Sequence, residues 1–398
     1  MSADPTSLLR PVTPPPAPVV NAAAPPPRAI PREGRIQVLQ LGPDLDVRGG
    51  VSSVEQLICD YLPAYASVRH VPTMNEGSRV ARLAMFARAG VTLARALDSL
   101  EPTVVHIHFA SRGSTLRKML LAQMVIRARR PLILHAHGAS FDQFHRRLPP
   151  FLRSLVNRTL QQANMLITLS SQWRDFYTRE CELAPSQVMV LPNPVRVPAR
   201  CPDRANRSLV QFVHLGRLGK RKGTYDLLEA FTALPEGLRA RARLVLAGDG
   251  DVDGVRKLAE AHGDRVRVLS WIDASERDRL LTESDVFVLP SYAEGVPMSL
   301  LEAMAAGLPA ITTAVGGIPD VLTDGAEGSI VVPGDRAQLT ASMARYITDE
   351  PARLATGRRA HERARTFDVH SYARRLADIY QRIAPVAEVR PNYLGKPS

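Results

Sequence analysis

Short β-branched runs alternate with stretches of helical period along the whole chain, in two series separated by a proline-rich break. This alternation constrains the fold more than any single motif, because it is the pattern of parallel strands joined by crossover helices. In the first series, strands are expected at residues 36–41, 68–71, 104–109, 132–136 and 165–169. Helices are expected near 52–62, 79–100, 114–129, 150–163 and 171–182. Pro192, Pro194, Pro198 and Pro202 then interrupt the pattern and mark a linker. The second series has strands at 209–215, 242–247, 266–270, 285–289, 310–313 and 329–332. Its helices are expected at 223–234, 255–262, 275–283, 297–306 and 336–348, with a last amphipathic helix at 370–383. The predicted fold is α/β: two doubly wound parallel-sheet domains facing across a cleft, with ligands at the carboxyl ends of the strands.

A chain of 398 residues is long enough for two such cores. The expected division is a tail at 1–34, a first domain at 35–198, a second at 199–369, a helix at 370–384 packing back on the first domain, and a flexible tail at 385–398. Ten prolines within residues 1–33 give the first tail a disordered or polyproline-like character. Cys59, Cys181 and Cys201 are odd in number and widely spaced, which argues against a disulfide framework or a zinc site and for a reducing cytosol. No apolar run approaches the roughly 18 residues that would span a bilayer, and the N-terminus lacks the apolar segment of a secretory signal.

The net charge of +12 is unevenly distributed: residues 1–200 hold 24 Lys and Arg against 13 Asp and Glu, and the remainder 27 against 26. A basic half beside a neutral half suggests a domain that faces something anionic. Few aromatics lie among those basic residues and no nucleic-acid motif is present, so a membrane surface or a phosphate-bearing substrate fits better than nucleic acid. The plainer alternative is an arginine-rich surface with no partner.

Five motifs could carry chemistry. The loop 41–53 contains Gly49-Gly50, which permit close backbone approach to a phosphate or acceptor, with Ser52 or Ser53 available to cap a helix. It lacks the G-x-G-x-x-G spacing, which disfavours a nicotinamide enzyme. The loop 215–226 presents Arg217, Lys220, Arg221 and Lys222 beside a helix start, where cations could neutralise a departing phosphate or simply be solvated. His137, at the end of a strand, could bond a sugar hydroxyl or a reacting oxygen, or be structural. Metal ligation by His135 and His137 is not expected, because no third ligand stands at useful spacing and His106 and His108 follow strand alternation. The triplets Asp44-Leu-Asp46 and Asp249-Gly-Asp251 invite a divalent metal, but that role is not expected for either, and the second sits in a tight turn where aspartate and glycine are ordinary.

The last motif runs from Glu294 to Glu302. Pro297 is expected at the first helical position, leaving Glu294 in the preceding loop, together with Gly295, and Glu302 on the second turn. Roughly 12 Å of helix rise would separate the two carboxylates, too far for an acid/base pair. A ligand laid across the helix N-terminus, near the backbone N–H groups of Met298 and Ser299, fits this spacing better.

Together these motifs resemble the family-4 retaining glycosyltransferases of the GT-B fold, with two Rossmann-like domains. The resemblance rests on Glu294 and Glu302, Gly49-Gly50, His137-Gly138, Pro192-Asn193-Pro194, Gly216-Arg217, Lys222-Gly223, Ala247-Gly248, the segment from Gly316 to Asp320, and Pro333-Gly334-Asp335. It implies that Arg217 and Lys222 hold the donor diphosphate, Glu302 binds the ribose, and Glu294 contacts the donor sugar beside the N–H groups of Gly295, Met298 and Ser299. His137 would meet the sugar near the reacting face, and Gly49-Gly50 would lie against the donor phosphate and acceptor. It further implies no metal, and front-face substitution in which the leaving phosphate helps deprotonate the incoming hydroxyl. Many relatives carry Phe-Gly where this chain has Val296-Pro297, which removes one backbone donor and leaves the sugar open.

Bacterial exopolysaccharide α-mannosyltransferases are the most similar group, which makes GDP-mannose the expected donor and a polyprenyl-diphosphate-linked oligosaccharide the expected acceptor. A UDP-sugar-dependent enzyme of lipopolysaccharide assembly, or a soluble synthase or epimerase, is the alternative. A non-catalytic sugar-nucleotide-binding scaffold is disfavoured by the intact Arg217, Lys222, Glu294 and Glu302. Arg79, Arg82, Arg88 and Arg95, and Arg146, Arg147, Arg153 and Arg158 around Leu148, Phe151, Leu152 and Leu155, mark two basic apolar helices. They suit peripheral contact with the cytoplasmic face of an anionic inner membrane, or are ordinary helices with one core-packing and one solvated face.

Overall fold

The computed structural model describes residues 36–98 and 103–384. The expectations for the two tails, and for a second helix reaching residue 100, lie outside these residues. Strands β1 (Ile36–Gly42), β2 (Ala66–Pro72), β3 (Thr103–Phe109), β4 (Leu132–Ala136), β5 (Met165–Thr168) and β6 (Val188–Val190) form one sheet, ordered β2-β1-β3-β4-β5-β6. Strands β7 (Val210–Leu215), β8 (Ala242–Ala247), β9 (Val266–Leu269), β10 (Val286–Leu289), β11 (Ala310–Thr313) and β12 (Gly328–Val331) form the other, ordered β12-β11-β10-β7-β8-β9. Every pairing is parallel. Every residue of β4, β5, β10 and β11 is buried, as expected of strands covered on both faces.

The crossovers of the first domain are helices α1 (Gly50–Tyr61), α2 (Arg79–Asp98), α3 (Gly113–Arg127), α4 (Phe141–Arg146), α5 (Pro150–Gln161) and α6 (Ser171–Glu180). The second domain carries α7 (Thr224–Thr232), α8 (Glu236–Arg239), α9 (Val252–Ala259), α10 (Ala274–Glu283), α11 (Met298–Ala305), α12 (Ile318–Val321), α13 (Arg336–Thr348) and α14 (Glu350–Ala364). The last helix, α15 (Val369–Ile383), joins the core of the first domain. Its Tyr372, Leu376, Ile379 and Tyr380 pack in one cluster with Val38, Val54 and Ile58, and the Tyr380 hydroxyl bonds His106 Nδ1 at 2.8 Å.

The strand order reverses between β1 and β3 in one sheet and between β7 and β10 in the other. At such a point successive crossovers leave in opposite directions, and a crevice opens at the carboxyl ends of the strands. The loop after β1 carries Gly49-Gly50, the loop after β7 carries Arg217 to Lys222, and the loop after β10 carries Glu294. Three of the sequence motifs therefore sit at the two positions where this topology opens a binding site.

Two local expectations are corrected. Pro297 is extended, with ψ 126°, and caps α11 rather than beginning it, so the helix starts at Met298. Neither Ser52 nor Ser53 caps α1: the cap is Gly49, while Ser52 Oγ donates to the Asp44 carbonyl and Ser53 Oγ to the Gly49 carbonyl.

Candidate functional site

A cavity of about 420 Å³ lies between the two crevices. It is lined by Gly49, Gly50, His137, Arg217, Lys222, Glu294, Gly295, Met298, Ser299 and Glu302, which is every site residue expected from sequence. The walls meet closely: a Cβ added to Gly50 would stand 3.4 Å from Met298 Cγ. A cavity of this volume is in the range of small-molecule sites.

Side chains from two loops converge on its floor. Lys222 Nζ donates to Glu294 Oε1 at 2.6 Å, and both side chains are nearly buried, at 11% and 6% exposure. Behind them Gly316, at φ 59°, lies against the Glu294 carbonyl so closely that any Cβ would overlap it. No side chain caps the N-terminus of α11, which leaves its dipole and first-turn N–H groups facing the same space. Arg217 lies at the edge, mostly exposed, with its guanidinium 3.1 Å from Asp249.

Glu302, one turn further along α11, is paired with Arg277 of α10 at 3.1 Å. Burial lifts the Glu302 carboxyl above its ordinary range, while Arg277 pulls it back and Asp278 adds to the rise. Each glutamate thus has its own cation, Lys222 for Glu294 and Arg277 for Glu302. Arg277 carried no signal in the sequence, because its partner is 25 positions away on another helix. Arg48 and Trp271 were also missed. Arg48 stacks over the Trp271 ring at 5.5 Å from its centroid, bridging the first-domain loop and the end of β9, and both line the cavity.

Two motifs hold the domains together. Asn193 Nδ2 donates to the Val296 carbonyl at 2.7 Å. Asp320 accepts from Ser171 N at 2.6 Å and from Ser171 Oγ at 2.9 Å, at the first residue of α6.

The histidines require a correction. The strand register brings His106, His108 and His135 together, with one ring nitrogen from each within 4.8 Å of the others, although their linear spacing gave no third ligand. A metal bound at about 2.0–2.1 Å needs nitrogens that point at one centre. Two of those rings already have a nitrogen engaged elsewhere: His106 Nδ1 bonds the Tyr380 hydroxyl at 2.8 Å, and His108 Nδ1 lies 2.9 Å from His137 Nε2. The two Asp-x-Asp triplets are engaged in local structure: Asp44 Oδ1 accepts from Asp46 N, Asp249 pairs with Arg217, and Asp251 caps α9.

Two facing parallel-sheet domains with a nucleotide-sized cleft at their switch points define the GT-B architecture of glycosyltransferases. HepE of Anabaena, solved with UDP and glucose, superimposes with a TM-score of 0.68 at 16% identity, covering 87% of this chain and 100% of that one. Residues 204–363 match the family described as "Glycosyl transferases group 1" and residues 59–198 match "Glycosyltransferase Family 4". The chain is 33% identical to the lipopolysaccharide glucosyltransferase WaaG of Escherichia coli over 160 residues, 40% of this chain and 43% of that protein. It is 28% identical to the putative colanic acid biosynthesis glycosyltransferase WcaL of Escherichia coli over 296 residues, 69% of each. Several other alignments span about half the length of the curated relative.

Proposed function

We propose that the protein is a retaining hexosyltransferase that moves a sugar from a nucleoside diphosphate onto a lipid-linked saccharide during assembly of a bacterial surface polysaccharide. One observation carries this reading: the Lys222–Glu294 pair at 2.6 Å, set against the uncapped N-terminus of α11. A diphosphate laid across that terminus would draw Lys222 away from Glu294 and meet Arg217 at the rim. Glu294, released, would accept hydroxyls of the donor sugar, and Glu302 would take the ribose. Fixed cations then stabilise the charge that develops as the sugar–phosphate bond breaks. The leaving phosphate oxygen takes the proton of the incoming hydroxyl on the same face, which retains the configuration. Lys222 and Arg217 supply the positive charge, so the reading needs no metal.

The first-domain surface supports a membrane-borne acceptor. Neighbouring helices α2, α3 and α5 expose Val80, Leu83, Leu120, Phe151 and Leu155 among their arginines. Apolar side chains ringed by cations suit an anionic bilayer interface. Among the described residues no helix is long and apolar enough to cross a membrane.

GDP-mannose is the proposed donor. UDP-glucose is the second reading, favoured by the UDP and glucose held by HepE and by the glucosyltransferase name of WaaG. The deciding experiment incubates the protein with inner-membrane lipid extract and labelled GDP-mannose, UDP-glucose and other nucleotide sugars. Label entering the lipid fraction supports the reading, and turnover with UDP-glucose alone removes GDP-mannose. No transfer from any donor would sink the proposal.

A further inference from the structure

Next to His137, and outside the lining of the cavity, lies a buried group that the proposed reaction does not use. Glu55 of α1 is fully buried, and neither carboxylate oxygen has a hydrogen-bond partner. Its carboxyl rests on Gly42 at the end of β1, where any Cβ would overlap it. That terminal glycine leaves space for the carboxyl over the edge of the sheet. From there Glu55 Oε1 stands 3.7 Å from His108 Nδ1, and the same Nδ1 lies 2.9 Å from His137 Nε2. The His108 and His137 planes differ by 17° with centroids 5.1 Å apart, the geometry of two rings bonded edge to edge.

A neutral imidazole has one donor and one acceptor nitrogen, so fixing one fixes the other. Burial holds His108 well below its ordinary range and His137 down to about 3, so both are neutral. An acceptor oxygen of the Glu55 carboxyl beside His108 Nδ1 favours the proton on that nitrogen. The proton then points at His137 Nε2, which must accept. The remaining nitrogen of His137, Nδ1, therefore carries its hydrogen. Burial raises the Glu55 carboxyl, and Lys118 opposes that rise. Lys118 is itself anchored to Thr73 Oγ1, and Thr73 donates to the Gly42 carbonyl at 2.6 Å.

We propose that Glu55 is a positioning residue: through His108 it fixes the tautomer and ring orientation of His137, which presents Nδ1–H as a donor to an oxygen of the bound sugar or diphosphate. The inference rests on the reading of His137 as a contact to the donor. A carboxylate that sets an imidazole tautomer in this way is a known device in catalysis, and losing it misdirects the ring without removing it.

Wild-type protein labelled with nitrogen-15 histidine tests the tautomer directly. His108 and His137 are both expected to be neutral and protonated on Nδ1 at neutral pH. A His137 protonated on Nε2 would overturn the inference, and this measurement needs no variant to fold. Glu55→Gln is then expected to populate the other His137 tautomer and to lower kcat about tenfold, with donor KM changed by less than about twofold. In a His137→Ala background the same substitution is expected to change kcat by less than about twofold. An equal loss in both backgrounds would assign Glu55 to folding alone and reject the proposal. If the wild-type protein transfers no sugar, the functional reading fails, while the nitrogen spectra still decide the tautomer.

Discussion

Arg277 and Glu302 form a 3.1 Å ion pair between α10 and α11, at the wall of the cleft where a ribose would lie. The arginine offsets the burial that lifts the Glu302 carboxyl. Arg277→Ala is expected to leave Glu302 more readily protonated and less fixed. Donor KM should rise about tenfold, the value of one hydrogen bond to a charged group, with kcat less affected. Steady-state kinetics over donor concentration measure this, and an unchanged KM would remove Glu302 from the ribose site.

Lys222→Met removes the cation from the floor of the cleft. Loss of leaving-group stabilisation should lower kcat by about 10²–10³. Glu294 would be left as a nearly buried carboxylate without its partner. That should destabilise the fold by about 3 kcal/mol, visible as a fall in Tm. Full turnover in the variant would contradict the role assigned to Lys222.

Trp271 is one of two tryptophans in the chain and lines the cleft, whereas Trp173 is buried in the core of the first domain. In a Trp173→Phe protein, nucleoside diphosphate should change the fluorescence of Trp271, and the titration gives Kd for UDP and GDP separately. Trp271→Ala should weaken the bound nucleotide by about 1 kcal/mol, the scale of a single aromatic stacking contact. Fluorescence that ignores both nucleotides would place the base elsewhere.

Stability should fall steeply in mild acid. Burial holds His106 and His137 down to about 3 and His214 down to about 4. Their unfolded values lie near 6.5, so below that pH the unfolded chain binds more protons than the folded one. Stability is therefore fully present above about pH 6.5 and is lost as pH falls towards the folded values, by about 1.4 kcal/mol per pH unit for each histidine. Thermal melts between pH 8 and pH 5 test this, and a Tm that stays flat over that window would contradict neutral buried imidazoles.

The exposed apolar side chains of α2 and α5 predict a separable defect. Leu83→Glu with Phe151→Glu should abolish sedimentation with anionic vesicles. Both residues are mostly exposed, at 69% and 70%, so stability should change by about 0.5 kcal/mol or less. Vesicle binding that survives the double substitution would move the contact to another face.

Much of this was legible because strand alternation and loop chemistry are local. Of the twelve strands among the described residues, eleven were expected to within about two residues at each end, and the missing one, β6, is a three-residue edge strand beside prolines. Helix α14 was not anticipated, although Asp349 and Pro351 supply an N-terminal cap and a first-turn proline; Gly357 in its interior is a poor helix former. The glycine is there because α14 crosses so near Gly307 that a Cβ would overlap its carbonyl. At the site, the loops announced Lys222, Glu294 and Glu302, but not the pairing of Arg277 with Glu302 or the contact of Glu55 with His108. Those depend on which helix faces which strand end, and no spacing in a single chain encodes that.

The chain passes between the domains twice, and the two crossings touch. Val195, leaving the first domain, bridges Asp368 in parallel: Val195 N donates to the Phe367 carbonyl at 2.9 Å, and Val369 N donates to the Val195 carbonyl at 3.0 Å. A single covalent strand would act as a swivel, whereas two strands bonded side by side act as a door hinge. That short seam resists twisting of one half past the other, which helps keep Gly50 opposite Met298 across the cleft. The seam also means that no contiguous stretch of sequence contains the whole first domain. Ending the chain before Val369 would strip α15 from its core, and the loss would appear first as a half that no longer folds rather than as a slower enzyme.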